Sequence, residues 1–352
     1  MLLLAVLLAC SGDDSPEPTD SDTTPVVESG DTAIVTVDSA TETGTTSPTA
    51  DTGTTLPTGS TGSTASTGDT GTLPVIDCAA LSPTPLSAGP VSGARAYHGI
   101  ALTDGKLYGT DGSNLIEADG YGGSSVFLPG TGRMEQLDVL SDGTMVGAMI
   151  SGDIVQIFPT GGLSVLATVG NTYGVRVGPD DKVYVADWSR ITRIDPATGT
   201  VETWLDSANV DPKVLDFSVD LTKMYIGSIN DGGRVYEVDL DANFDPISAP
   251  TVFASTPGSW HDGLEVDVCG NLYVAEYNNR AMYRISPSGS VTTYFAPANT
   301  ALYGHGVVFG NGEGPFDEMS MYIPQPYNGD TVSVIETGVP YRTYTGPVIN
   351  QP

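Results

Sequence analysis

Basic residues are scarce in this 352-residue chain, which has 13 lysines and arginines against 43 aspartates and glutamates and a formal net charge of −30. None of the basic residues comes before Arg95. A surface this acidic repels the phosphates of nucleic acids and the headgroups of anionic lipids. The composition therefore argues against nucleic acid binding and favours cations, sugars or other neutral polar ligands.

Long apolar runs are also lacking, and the chain opens with a short one, MLLLAVLLAC. Nine apolar residues are too few to span a bilayer but match the apolar region of a signal peptide. The stretch Leu7–Cys10 resembles the lipobox of bacterial lipoproteins, in which the cysteine is lipidated. An ordinary secretory signal is the alternative. We predict a signal peptide over residues 1–10 and an exported protein, attached through Cys10 to the cell envelope at a bacterial outer membrane.

Residues 11–77 contain no lysine, no arginine and no aromatic residue, and they consist mainly of Thr, Ser, Asp, Gly and Pro. Such a segment buries too little apolar surface to offset the entropy cost of ordering. We predict a disordered tether with a root-mean-square reach of roughly 45 Å, at about 5–6 Å times the square root of its length. The folded domain is then expected over residues 78–352.

The folded part repeats one unit six times and shows no helical periodicity. The repeated strand has versions such as KLYGTD, KVYVAD and NLYVAE, and its third residues are spaced 38, 38, 41, 48 and 49 apart: Tyr108, Val146, Tyr184, Tyr225, Tyr273 and Tyr322. Each copy contains four short segments with alternating apolar and polar residues, typical of the strands of a propeller blade. We predict an all-β, six-bladed β-propeller. Since the six copies look complete in chain order, we expect no N-terminal strand in the last blade.

Cysteines are few, and only Cys78 and Cys269 remain once Cys10 is assigned to the lipid. Two thiols in an oxidising compartment favour a disulfide, here between the start of the domain and a turn in blade 5. Two unpaired thiols are the alternative.

Only three histidines occur, and each lies at the start of a blade's first strand, which lines the channel of a propeller. Placing the six blades in register brings six residues to one mouth: His98, Glu135, Tyr173, Lys213, Asp262 and His305. Imidazoles and carboxylates that converge can hold a divalent metal or transfer protons. Polar channel residues that satisfy one another through water are the alternative.

The same alignment yields candidate roles for these residues. We predict a calcium or zinc site formed by His98, Glu135, Asp262 and His305, with Asp262 and His261 as the catalytic candidates. Aromatic and amide side chains in the neighbouring loops suit a small polar ligand. The ligand-binding candidates are Tyr173, Lys213, Trp188, Trp260, Tyr277, Tyr327 and Asn328.

The stretch HDGLEVDVCGNLYVAEYNNRAMYRISPSG, residues 261–289, resembles blade 5 of the SMP-30/gluconolactonase-like propellers. The resemblance extends over roughly residues 97–345, and the strand pattern is also similar to NHL-type and streptogramin-lyase-like propellers. In the family, an aspartate matched by Asp262 ligates a divalent metal and takes part in lactone hydrolysis. This chain departs from the family at the entrances of blades 1, 3 and 4, where His98, Tyr173 and Lys213 replace a glutamate and two asparagines.

Two functions follow as hypotheses. The first is a monomeric lipoprotein whose propeller binds a small polar ligand, such as a sugar or lactone, or a protein partner at its top face. The alternative is a metal-dependent hydrolase of lactones or small esters.

Overall fold

The computed structural model describes residues 78, 85, 87–206, 209–296 and 304–342, all within the compact unit Thr72–Pro352. The predicted signal peptide, Cys10 and the tether lie outside these residues. The described ranges form 24 strands in six four-stranded antiparallel sheets, with no α-helix among them. The predicted six-bladed propeller is confirmed. In the same ranges, no helical segment is long and apolar enough to cross a membrane.

The first five blades each consist of four strands that are consecutive in the chain, and their first strands lie side by side around the channel. Blade 1 has β2 to β5 at Ile100–Thr103, Lys106–Thr110, Leu115–Ala118 and Ser124–Leu128. Blade 2 has β6 to β9 at Met134–Val139, Met145–Met149, Asp153–Ile157 and Leu163–Thr168. Blade 3 has β10 to β13 at Val175–Val177, Val183–Asp187, Arg190–Ile194 and Val201–Asp206. Blade 4 has β14 to β17 at Pro212–Phe217, Lys223–Ser228, Arg234–Asp239 and Thr251–Ser255. Blade 5 has β18 to β21 at His261–Val266, Leu272–Glu276, Ala281–Ile285 and Val291–Phe295.

The sixth blade joins the two ends of the domain. From the channel outward it contains β22 at Val308–Phe309, β23 at Ser320–Gln325, β24 at Thr331–Glu336 and, outermost, β1 at Ser87–Arg95. Our expectation that the last blade would lack an N-terminal strand was wrong. The segment SAGPVSGAR shows no clear alternation because an edge strand contributes mainly its backbone, and an edge position also tolerates Pro90.

Aromatic rings of the repeated strand pack between neighbouring blades. Tyr184 is fully buried, with its ring edge-on to Phe217 of blade 4 at 5.2 Å between centroids. Tyr273 makes the same kind of contact with Phe309 of blade 6 at 5.6 Å. Burial of such a side chain contributes about 1.5–3 kcal/mol. The hydroxyl of Tyr273 is satisfied by Asp267 at 3.1 Å, so the ring can be buried without a polar cost.

Polar side chains of the first strands bond the backbone of the next blade. Gln136 accepts a hydrogen bond from the Val175 amide at 2.9 Å, and Asp216 accepts one from the Val266 amide at 2.8 Å. These N–H groups face the channel, where the described part of the chain has no further strand to pair with them. Part of the buried charge near the axis therefore serves the fold.

The disulfide between Cys78 and Cys269 is confirmed. It joins residues 191 positions apart, with their Cα atoms 5.6 Å from each other. Cys269 lies in the turn between β18 and β19, where its backbone amide donates to Asp267 at 2.9 Å. The start of the domain is thus attached covalently to blade 5 and by strand pairing to blade 6.

Loss of this disulfide should destabilise the domain without changing its fold. We expect the double variant Cys78→Ser/Cys269→Ser to lose about 2–4 kcal/mol of unfolding free energy, because its unfolded chain is less restricted. Urea unfolding followed by circular dichroism measures the loss. A reductant should destabilise the wild type equally and leave the double variant unaffected. Wild-type stability that did not respond to reductant would contradict the prediction.

Candidate functional site

The structure brings the predicted mouth residues together in one buried group, which we call the entrance cluster. It contains five of the predicted residues and one that the sequence analysis missed: His98, Arg133, Glu135, Lys213, Asp262 and His305. All except Arg133 are buried. The cluster lies where the first strands of the blades begin, since His98 precedes β2 and His305 precedes β22.

Three of these residues occupy irregular positions in their strands. Glu135, Lys213 and Asp262 each lie at a register shift of the first strand of a blade, between residues that pair regularly with the second strand. Such bulges redirect a side chain that would otherwise follow the alternation of the strand. The same local device therefore directs three charged groups toward the channel mouth.

Glycines allow the blade entrances to converge. His98, Tyr173, Asp262 and His305 are each followed directly by a glycine. A Cβ atom on Gly263 would lie 2.8 Å from the carbonyl carbon of Gly306 in blade 6. A side chain would force neighbouring blades apart at this level.

Two contacts between a carboxylate and an imidazole form the centre of the cluster. His98 Nδ1 lies 2.8 Å from Glu135 Oε2, and His305 Nδ1 lies 3.1 Å from Asp262 Oδ2. The two imidazole rings face each other with centroids 4.2 Å apart. Burial lowers the pKa of His98 to about 4, outweighing the hydrogen bond to Glu135 that raises it. His98 is therefore neutral at pH 7.

A cation accompanies each carboxylate. Lys213 bonds Asp262 through its ammonium group, and Arg133 Nε lies 3.0 Å from Glu135 Oε1. Burial alone would raise the pKa of Asp262, but the charge of Lys213 and the hydrogen bond with His305 lower it. Arg133 also lies over the ring of Tyr97, 4.7 Å from its centroid. Its place two residues before Glu135, in a chain poor in basic residues, is the signal that could have identified it.

The pKa of Lys213 moves in a direction that opposes this ion pair, because burial lowers it and outweighs the attraction of Asp262. The surroundings of the ammonium group nevertheless favour a cation. Its nitrogen lies 4.5 Å from the ring centroids of both Tyr173 and Trp260 in addition to bonding Asp262. A carboxylate and two aromatic faces stabilise a positive charge, so we assign the ammonium form.

Half-buried and exposed aromatic rings surround the cluster, and we call them the aromatic rim. Its members stack on or tilt against their neighbours: Tyr97, Tyr173, Trp188, Trp260, Tyr277 and Tyr327. The indole of Trp260 donates to Asp262 Oδ1 at 2.9 Å, which connects the rim to the cluster. Trp188 and Tyr327 remain 40% and 50% exposed. The entrance cluster is thus the charged floor of the site, and the aromatic rim is its wall.

Two predicted site residues do not join this arrangement. His261 is fully buried beside blade 4, where Nδ1 accepts from the Ser228 amide at 3.1 Å and Nε2 lies 2.8 Å from the Thr256 hydroxyl. It occupies a structural position, which corrects its assignment as a catalytic candidate. Asn328 bonds Thr331 within its own turn at 3.1 Å, so its amide serves the loop.

The predicted metal ligands meet, but they do not form a metal site. Among the described residues, no group of three or more His, Cys, Asp or Glu side chains is arranged to hold a metal ion. Lys213 and Arg133 already engage the carboxylates of Asp262 and Glu135, leaving no uncompensated negative charge for a dication. The donor set therefore does not fit the expected calcium or zinc ion.

A cavity of about 120 Å³ continues from the cluster into the channel. His98 and Glu135 line one part of it, and Arg176, Glu265 and Tyr341 line another. Arg176 Nη2 bonds Glu265 Oε1 at 2.7 Å. Apolar residues such as Leu137 and Phe309 also line the space, which is large enough for several water molecules.

Comparison with known proteins confirms the resemblance for part of the chain. The sequence model described as SMP-30/Gluconolactonase/LRE-like region matches residues 179–305. No curated protein sequence matches the chain.

Solved structures share the architecture at low sequence identity. A gluconolactonase from Xanthomonas campestris is 14% identical, with a TM-score of 0.60 over 72% of this chain and 89% of its own. The calcium-binding protein regucalcin from Agrobacterium tumefaciens is 18% identical, with a TM-score of 0.58 over 74% of this chain and 98% of its own. Virginiamycin B lyase from Staphylococcus aureus is 16% identical, with a TM-score of 0.52 over 71% of this chain and 98% of its own. These similarities establish the fold and leave the chemistry open.

The buried histidines should make stability depend on pH in a defined window. Burial lowers the pKa of His98 and of His261 from 6.5 to about 4. The unfolded chain therefore takes up these protons at a higher pH than the folded protein, so their contribution is complete above pH 6.5 and is lost as pH falls toward 4. At pH 5.5 the expected loss is about 1.4 kcal/mol for each histidine.

Urea unfolding of the wild type and of His261→Asn at several pH values tests this expectation. Burial raises the pKa of Glu265 to about 8, which shifts stability in the opposite direction, so the difference between the two proteins is the quantity to compare. The difference should shrink as pH falls from 7.5 to 5, because only the wild type loses the contribution of His261. A difference that stayed constant would refute the assignment of His261 as a buried neutral imidazole.

Proposed function

Because residues 179–305 form an SMP-30/gluconolactonase/LRE-like region within a six-bladed propeller, we propose that this protein binds a small, neutral, polar ligand at the entrance cluster. A sugar or a lactone is the ligand class that best fits. The single observation that carries the proposal is the combination of a charge-balanced floor with an aromatic wall.

The floor suits a ligand with hydroxyl or carbonyl groups. Lys213 and Arg133 supply donors, whereas Asp262 and Glu135 supply acceptors, and the two pairs balance in charge. A hydroxyl group both donates and accepts, so it can use both kinds of partner. An ionic ligand would disturb the balance in a buried environment, where an uncompensated charge is costly.

The wall suits the apolar face of a sugar or lactone ring. Trp260 and Tyr277 lie 5.3 Å apart, and Tyr173 and Trp188 lie 5.6 Å apart, between ring centroids. Sites for small molecules commonly combine aromatic walls with a few placed polar groups. The exposed rings of Trp188 and Tyr327 also suit a protein partner, which titration with small ligands distinguishes from a sugar or lactone.

Hydrolysis of a lactone or small ester is the second candidate, and the carboxylate–imidazole contacts favour it. His98 is neutral and its Nδ1 donates to the ionised Glu135, so Nε2 carries the lone pair. Arg133 Nη2 lies 3.3 Å from that nitrogen, and an imidazole relieved of this contact could accept a proton from an attacking water molecule. The donor set does not fit the bound metal expected from the sequence, so His98 is the candidate base in this site.

Binding can be tested with D-glucose and D-glucono-1,5-lactone as probes, followed by calorimetry and tryptophan fluorescence. We expect saturable binding by at least one probe, with at least about tenfold weaker binding in Trp260→Ala and in Asp262→Asn, because each removes a buried ligand contact. Tyr121→Ala is the matched control, since Tyr121 is 77% exposed in the turn between β4 and β5 of blade 1.

The same samples distinguish the two functions. Lactone consumption above the spontaneous rate that chelator does not abolish would favour a metal-free hydrolase, and loss with chelator would favour the metal-dependent reaction. Binding without consumption supports the binding protein. The small-ligand proposal is wrong if neither probe binds. A protein partner that binds the wild type and is lost when Trp188 and Tyr327 are replaced would then support the protein-binding hypothesis.

We also propose that the propeller acts outside the cytoplasm, held at the outer membrane of a bacterium by a lipid on Cys10. The support is the apolar run that ends at Cys10, the polar composition of residues 11–77 and the disulfide, which needs an oxidising compartment.

Lipid attachment predicts that a labelled fatty acid is incorporated when the full chain is produced in a bacterium. Cys10→Ser should lose the label and leave the membrane fraction, because Cys10 is the proposed acceptor. Cys78→Ser is the matched control and should keep the label. Equal labelling of wild type and Cys10→Ser would contradict the anchor.

A further inference from the structure

We propose that the ammonium group of Lys213 takes the place of a divalent metal ion in this site, so that the cation among the carboxylates and imidazoles is part of the chain itself. The resemblance implies a metal on the aspartate matched by Asp262, and in this protein Lys213 holds that aspartate. The proposal concerns the identity of the resident cation and stands whichever ligand the site binds.

Lys213 lies directly against the carboxylate of Asp262. Its ammonium group bonds Asp262 Oδ1, while His305 occupies the other oxygen of the same carboxylate at 3.1 Å. Both oxygens of Asp262 are therefore engaged by the chain. The lysine side chain is only 4% exposed, so its nitrogen belongs to the floor of the site.

The backbone holds Lys213 as securely as it holds the carboxylates. Lys213 lies at a register shift of its strand, as Glu135 and Asp262 do in theirs. The entrance of blade 3 also packs against its backbone, since any side chain on Gly174 would collide with the Lys213 carbonyl. The backbone of Lys213 is therefore fixed at the blade entrance by packing as well as by strand pairing.

The aromatic faces around Lys213 suit an ammonium group better than a metal ion. Its nitrogen lies 4.5 Å from the centroids of Tyr173 and Trp260. Calcium and zinc require several oxygen or nitrogen ligands, which ring faces do not provide. An ammonium group is stabilised by ring faces and needs only hydrogen-bond acceptors.

The charges of the entrance cluster are balanced by residues of the chain. Asp262 is compensated by Lys213, and Glu135 is compensated by Arg133. A dication placed among them would face two fixed positive charges at short range in a buried environment. Removal of Lys213 alone would leave Asp262 without its cation, while Trp260 and His305 still hold its oxygens.

Metal binding by the wild type and by variants of Lys213 tests the proposal. Lys213→Asn supplies an amide oxygen in place of the ammonium group, and Lys213→Met removes the charge at similar length. Each protein is titrated with Ca²⁺ and with Zn²⁺ by calorimetry, and retained metal is measured by mass spectrometry after dialysis. We expect no retained metal in the wild type and about one equivalent in Lys213→Asn, because the Asp262 carboxylate then has no cation of the chain against it and gains an amide oxygen beside it.

Two controls separate position from charge. Lys223→Met removes a lysine of the same blade that pairs with Glu237 and Asp239, and it should stay free of metal. Arg133→Met keeps the contact between Lys213 and Asp262, and it should also stay free of metal.

Either of two results would overturn the proposal. One is a wild type that binds about one equivalent of metal, or that gains thermal stability with excess Ca²⁺ or Zn²⁺, a measurement that needs no variant. The other is a folded Lys213→Asn protein, verified by circular dichroism, that still binds neither ion. Neither result depends on a sugar or lactone, so failure here is distinguishable from failure of the proposed function.

Discussion

Closure of the ring is the constraint on which the rest of the structure depends. Each blade is a small sheet with apolar faces, and it is stable only when both faces are covered by neighbours. The pairing of β1 with β24 and the disulfide from Cys78 to Cys269 both tie the N-terminal segment to the last part of the ring. Because the first and sixth blades are held together in this way, six strand entrances are fixed around one channel.

The channel mouth becomes a site because charged side chains converge there and must compensate one another. The entrance cluster does so with two carboxylates, two cations and two imidazoles. Deeper in the channel, Arg342 bonds Asp216 and Arg176 lies 3.3 Å from the same carboxylate, so charges are also paired at a second level. Buried charges are tolerated only when paired, and pairing by residues of the chain itself limits what else can bind there.

The contrast between fold and chemistry is sharpest at Asp262. Its position in blade 5 agrees with the resemblance to the SMP-30/gluconolactonase-like propellers, and the overall architecture agrees with solved structures of that type. Its partners do not agree, since an ammonium group and an indole contact one carboxylate oxygen. A fold can therefore persist while the residues at its mouth select a different occupant.

The sequence alone determined the all-β class, the six repeats and five of the six residues of the entrance cluster. These features follow from local alternation and from fixed spacing, which are visible without coordinates. The pairing of β1 with the sixth blade could not be predicted, because an edge strand such as SAGPVSGAR is specified by backbone pairing rather than by side-chain pattern.

Only the tertiary structure decided which entrance residues act together. Register shifts at Glu135, Lys213 and Asp262 redirect their side chains. The alternation of apolar and polar residues in the sequence does not indicate where such a shift occurs. The register shift at Asp262 also directs the neighbouring His261 side chain away from the channel mouth. Its imidazole instead accepts a hydrogen bond from Ser228 in blade 4. The sequence placed charges of both signs at one mouth, but distances between blades determined that Lys213 lies against Asp262.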